Sequence, residues 1–163
     1  MKTLNIYINE RLNITNNVIS ERLVLSKNKK NTEYTLFPKS KDELEEMIFN
    51  ELKENGINVS LNHIDVSEIT DLSGLFSSTS INPDISEWDV SNVTNMQDMF
   101  YNSDFNGDIS EWDVSNVTNM CDMFAHSKFN GDISNWDVSK VTNMNDMFKN
   151  CPLRNKPPKW YKN

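Results

Sequence analysis

The side chains that could do chemistry here are carboxylates. Asp84, Asp108 and Asp132 recur every 24 residues, as do Asp89, Asp113 and Asp137, and then Asp98, Asp122 and Asp146. Like charges brought into register repel unless hydrogen bonds or cations offset them. Calcium would do so, since hard cations take oxygen ligands. The simpler reading has each carboxylate accept backbone N–H groups within its own turn, so no cofactor is assigned and no residue is assigned as a metal ligand. His63 and His126 are the only histidines, and neither stands in a metal-ligand spacing. Cys121 and Cys151 lie too far apart for a metal or disulfide motif, and nothing nearby in sequence would activate either as a nucleophile. Phosphate-binding, dinucleotide, hydrolase-elbow and zinc-protease fingerprints are all missing. No catalytic residue is assigned, and the expected protein is not an enzyme.

The charge pattern narrows the partners. Residues 57–127 contain 12 Asp or Glu and no Lys or Arg, whereas residues 1–56 are balanced. An acidic stretch of that length repels nucleic acid and favours a basic protein partner; a merely solubilising surface is the competing reading. No apolar run is long enough to cross a membrane, and no leader pattern opens the chain. The expected location is therefore the cytoplasm, or the cytoplasm of a host cell if the chain is phage-encoded.

These carboxylates are positioned by a repeat. Asp84-Ile-Ser-Glu-Trp-Asp-Val-Ser-Asn-Val-Thr-Asn-Met96 recurs almost unchanged at Asp108–Met120 and Asp132–Met144. Trp88, Trp112, Trp136 and Trp160 keep the period, as do Phe76, Phe100, Phe124 and Phe148. Ile64–Leu72 is a degenerate first copy, and Leu153–Asn163 a truncated last one with Pro157 and Pro158 in place of Ile-Ser. The expected division is residues 57–152 as four repeats, 153–163 as a partial cap, and 1–56 as an N-terminal cap.

Within a unit, Ile109, Trp112, Val114 and Val117 have the spacing of a short strand with inward Trp112 and Val114. Val117, Met120, Met123 and Phe124 then share one helical face, with Ser115 as N-cap. Stacked units would place the Trp and Phe columns in the core; an exposed aromatic strip is the alternative. The outward row of Glu87, Asp89, Glu111, Asp113, Asn135 and Asp137 is the expected contact surface.

The run Phe-Asn-Gly-Asp-Ile-Ser-x-Trp-Asp-Val-Ser-x-Val-Thr-Asn-Met-x-Asp-Met-Phe, at Phe105–Phe124 and Phe129–Phe148 and less closely at Ile81–Phe100, resembles the repeat of BspA-like leucine-rich bacterial surface proteins. The resemblance implies an α/β fold, a short right-handed leucine-rich-repeat solenoid with one short strand and one helical turn segment per unit. It also implies protein–protein contact and no catalytic residues. The short array resembles products of bacteriophages or gut bacteria. The function expected on this basis is a non-enzymatic interaction module presenting an acidic solenoid surface. The alternatives are an acidic decoy of a nucleic-acid-binding or host-defence protein, and a structural component of a phage particle or surface adhesin. Oligomeric state is left open.

The N-terminal cap reads as α+β. Leu4, Ile8 and Leu12 share a helical face and are read as a helix, although Leu4, Ile6 and Ile8 would equally suit a strand. Leu23-Val24-Leu25 and Tyr34–Phe37 flank a basic loop with Lys27, Lys29 and Lys30, as in a hairpin. Ser40-Lys-Asp-Glu43 is a capping box opening a helix over 41–54, whose stripe of Leu44, Met47, Ile48 and Leu52 would cover the first repeat.

Overall fold

The computed structural model describes residues 34–162. The expected helix at Leu4–Leu12, the run Leu23-Val24-Leu25 and the basic loop lie outside them. The one α-helix among the described residues, α1, spans Lys41–Asn55. Ser40 Oγ accepts the Glu43 N–H at 3.2 Å, and Glu43 Oε2 accepts the N–H of Lys39 at 2.8 Å, so two otherwise orphaned donors are satisfied. Gly56 ends α1 at φ +89, with its N–H on the Leu52 carbonyl. Leu44 and Ile48 are fully buried, and Met47 and Leu52 pack at the edge of the same core. Tyr34–Phe37 does not meet a hairpin partner among the described residues. It runs parallel to the chain at Ile64, where Thr35 N–H donates to the His63 carbonyl and Asp65 N–H to the Leu36 carbonyl, each at 2.9 Å.

The leucine-rich-repeat architecture is not formed. Residues 57–151 contain neither a helix nor a β-strand, only turns and isolated bridges, so the α/β assignment with strand-plus-helix units is corrected. The physical reason lies in two competing sets of local hydrogen bonds. Where a strand was expected, each unit makes two successive turns. Ser110 N–H donates to Asp108 Oδ1 and Trp112 N–H to the Ile109 carbonyl; then Ser115 N–H donates to Asp113 Oδ1 and Val117 N–H to the Val114 carbonyl. Asp side chains that hold their own backbone two residues on take it away from ladder pairing.

The expected helix fails for a different reason. Asp98, Asp122 and Asp146 have φ of 55°, 54° and 53°, and Gly74 shares their phase at 64°. Four residues later Ser78, Asn102, His126 and Asn150 are left-handed too. A right-handed helix cannot pass through such residues, so Val117, Met120, Met123 and Phe124 share an inward side without being helical.

What results is a chain coiled in 24-residue register and joined mostly through its turns. Around each left-handed corner the N–H groups alternate in direction. Met99 and Tyr101 donate back to the Met96 and Asp98 carbonyls of their own turn. Met96, Asp98, Phe100 and Asn102 donate instead to Asn119, Cys121, Met123 and Ala125 of the next coil, at 2.8–3.0 Å. The same four-bond junction joins Leu72, Gly74, Phe76 and Ser78 to the second coil, and Met120, Asp122, Phe124 and His126 to the fourth. Single parallel bridges at Asp71, Asn95, Asn119 and Asn143 mark the closest approach to a ladder.

Aromatic columns fill the interior. Phe76, Phe100, Phe124 and Phe148 stack with centroid separations of 5.7, 5.5 and 6.0 Å. Phe105 and Phe129 interleave with them at 4.2 and 4.3 Å. The Trp column is buried at Trp88, Trp112 and Trp136 and half-buried at Trp160. Each indole N–H crosses to the preceding coil and donates to the carbonyls of Leu61, Ile85, Ile109 and Ile133, at 2.9–3.2 Å. Gly131 is required by this packing, because a Cβ there would lie 2.7 Å from the Phe129 ring. In the second unit the aromatic and the glycine are exchanged together for Ile81 and Pro83.

Candidate functional site

The six expected contact residues stand on turns. Asp89, Glu111, Asp113, Asn135 and Asp137 are exposed and Glu87 is half-buried. Asp89 Oδ1 accepts the N–H and hydroxyl of Ser91 at 3.1 and 2.6 Å; Asp113 and Asp137 accept the Ser115 and Ser139 N–H groups at 3.0 Å. A second row does the same: Asp84, Asp108 and Asp132 accept Ser86, Ser110 and Ser134. Hydrogen bonds from Ser115 hold the Asp113 carboxyl below its ordinary range, and Ser134 and Ser139 do the same for Asp132 and Asp137. At Asp84 burial pushes upward, but hydrogen bonds from Ser86, Asn62 and Ser60 outweigh it. These rows are therefore turn caps, and at Asp84, Asp113, Asp132 and Asp137 the hydrogen bonds favour the ionised form. No leucine-rich-repeat sheet exists to present them as a flat acidic face. The interaction module, the decoy and the particle or adhesin component lose the surface they were expected to use.

The third carboxylate row is engaged within its own coils. Asp98 Oδ2 accepts Gln97 Nε2 at 3.1 Å, Asp122 Oδ2 accepts the Cys121 thiol at 3.2 Å, and Asp146 pairs with Lys149 at 2.9 Å. No three His, Cys, Asp or Glu side chains converge as metal ligands among the described residues. Burial, together with the hydrogen bond to Asp122, pushes the Cys121 thiol up to about 11, and burial raises Cys151, which donates to the Phe129 carbonyl at 3.2 Å. Raised thiols are poor nucleophiles at neutral pH. His63 Nε2 lies 3.2 Å from Glu51, and His126 packs edge-on to Tyr101. His126 Nδ1 also lies 3.4 Å from Asn150 Nδ2.

The feature sequence reasoning missed is an end, and it is built from backbone. The last coil repeats the geometry of its predecessors. Its N–H groups at Met144, Asp146, Phe148 and Asn150, the counterparts of four donors that close every earlier junction, meet no carbonyl among the described residues. Residues Pro152–Asn155 form a 3₁₀ turn, and the chain then crosses this edge without adding a coil. Tyr161 packs against Phe148 at 4.8 Å, where the next phenylalanine of the column would lie. Clefts open on both sides of Tyr161. One is lined by Asp146, Phe148, Lys149 and Arg154, the other by Met144, Asn145, Asp146 and Lys162. In the first coil the Ser73 carbonyl accepts the Lys41 ammonium, which also reaches Ser73 Oγ at 3.0 Å. No side-chain pattern announces an open row of backbone donors.

The family model described as "Mycoplasma protein of unknown function, DUF285" matches residues 42–160, from the start of α1 to Trp160, and the chain belongs to that family. This membership, with the absence of strand-plus-helix units, replaces the resemblance to BspA-like leucine-rich surface proteins. No curated protein and no solved structure matches the chain. No helix among the described residues is long and apolar enough to cross a membrane.

Proposed function

We propose that this chain is a non-enzymatic recognition protein that takes up a segment of a protein partner along its C-terminal edge. The carrying observation is the row of N–H groups at Met144, Asp146, Phe148 and Asn150, whose counterparts close three earlier junctions and which meet no carbonyl among the described residues. A buried backbone donor left without an acceptor is costly, as at Phe148, and an added chain that supplies carbonyls removes that cost. Clefts beside Tyr161 give such a segment room. Two unpaired thiols suit a reducing compartment, and the cytoplasm is the proposed location.

A second reading keeps the basic protein partner. It is favoured by the charge pattern, since residues 57–127 contain 12 Asp or Glu and no Lys or Arg. Photo-crosslinking residues introduced at Asn150 and, separately, at Glu111 distinguish the two in the native lysate. The edge reading expects a crosslink from position 150 that maps to one continuous segment of one protein. Crosslinks to a basic protein from position 111 alone would overturn it in favour of the second reading.

A further inference from the structure

We infer that Asn130 is a site of spontaneous deamidation, its carboxamide hydrolysed through attack by the Gly131 nitrogen. The inference is independent of the edge-pairing reading above. Three of the four glycines follow asparagine, at Asn55-Gly56, Asn106-Gly107 and Asn130-Gly131. Asparagine before glycine is especially open to this reaction, because glycine has no Cβ to obstruct the approach of its nitrogen and the freest backbone to make it.

The chemistry needs only water. The Gly131 nitrogen gives up its proton to solvent and bonds to the Asn130 Cγ. The Cγ–Nδ2 bond breaks, ammonia leaves, and a five-membered succinimide remains. Water then opens the ring at one of its two C–N bonds. Opening at Cγ leaves an aspartate on a normal main chain; opening at the main-chain carbonyl leaves an isoaspartate, with the chain running through Cβ. One water is consumed, one ammonia is released, and one carboxylate is gained.

The fold ranks the three candidates. Asn55 is restrained twice, since the Gly56 N–H donates to the Leu52 carbonyl at 3.0 Å and Asn55 Nδ2 donates to Glu51 Oε2 at 2.9 Å. The N–H groups of Gly107 and Gly131 meet no carbonyl among the described residues. Asn106 is exposed, but its Oδ1 accepts the Asn130 N–H at 2.8 Å, a bond that must break before Cγ can turn toward Gly107. Asn130 is exposed as well, and the matching bond is not formed one coil later. There the Arg154 N–H turns back to the Cys151 carbonyl at 3.0 Å, so it does not hold the Asn130 carboxamide.

Packing explains why the labile pair is kept. A Cβ at position 131 would lie 2.7 Å from the Phe129 ring, so the aromatic column requires the glycine that exposes Asn130 to attack. Asn82 holds the same position two coils earlier but precedes Pro83, whose nitrogen has no proton to lose, and the route is closed there. The isoaspartate product inserts one methylene into the main chain between the buried Phe129 and Ile133.

The test incubates the folded full chain in mildly alkaline H₂¹⁸O, beside the same chain unfolded in urea, and follows each asparagine by peptide mass mapping. In the folded chain Asn130 is expected to convert about fivefold faster than Asn106, the factor that one typical hydrogen bond supplies. Asn55 should be the slowest of the three, and Asn82 should stay intact. In urea the three Asn-Gly pairs should convert at similar rates, because the contacts that separate them are gone. An Asn130 that stays intact in the folded chain while converting in urea would overturn the inference. So would conversion of Asn106 or Asn55 in the folded chain at a rate equal to or above that of Asn130.

Discussion

Replacing Trp112 with alanine is expected to destabilise the protein by about 3–5 kcal/mol, the range for removing a large buried aromatic from a core. Two losses add at this position. Trp112 is 4% exposed and packs beside Phe100, so its removal opens a cavity within the stack. Its indole N–H is also the 3.2 Å donor to the Ile85 carbonyl, which would be left in the interior without that partner. Trp112→Phe separates the two, retaining most of the packing and losing the hydrogen bond, at an expected cost of about 1–3 kcal/mol. Urea unfolding measures both, and an unchanged midpoint for Trp112→Ala would contradict the buried column.

Phe124→Ala is expected to cost a similar amount, about 3–5 kcal/mol. Phe124 is fully buried and sits between Phe100 and Phe148 at 5.5 and 6.0 Å, with Phe129 against its face at 4.3 Å. Three stacked neighbours lose their contact surface together, and aromatic pairs contribute beyond their buried area. Phe148→Ala should cost less, because only Tyr161 and Trp160 cover its outer side and they can settle inward. The unfolding midpoints should therefore rank wild type, Phe148→Ala, Phe124→Ala. The reverse order for the two variants would mean that the C-terminal segment, rather than the column, holds the stack together.

Both predictions rest on features that the sequence displays. The 24-residue recurrence of Trp and Phe can be read directly, and the structure stacks the Phe rings and buries Trp88, Trp112 and Trp136. The conformation of the chain between them was less legible. Val117, Met120, Met123 and Phe124 have a helical spacing, but an inward side every three or four residues is also produced by successive turns. The distinguishing signal was present in Gly74, which shares the phase of Asp98, Asp122 and Asp146, and in the Ser, Asn, His, Asn series four residues on. Gly, Asn, Asp and His are the residues that tolerate left-handed backbone. The doubled Asp-x-Ser of each unit, Asp108-Ile-Ser110 and Asp113-Val-Ser115, was likewise a turn signal read as part of a strand.

The candidate edge could not be read this way. Its donors are backbone N–H groups, identical in chemistry at Asp122 and Asp146; what differs is that the Asp122 N–H meets the Asn145 carbonyl and the Asp146 N–H meets no carbonyl among the described residues. That depends on the packing of residues 152–162, where Pro157 and Pro158 mark a departure from the repeat without specifying which donors it leaves open. The acidic contact row misled for a related reason: outward residues on a strand become capping residues when Asp holds its own turn.

Amide hydrogen exchange followed residue by residue tests the coil and its open end most directly. The structure predicts slow exchange at Asp122, Phe124 and His126, whose N–H groups are bonded into the next coil, and much faster exchange at Asp146 and Asn150, which occupy the same corner one coil later. Protection at Asp146 and Asn150 equal to that at Asp122 and His126 would contradict the account, since those donors would then already be paired.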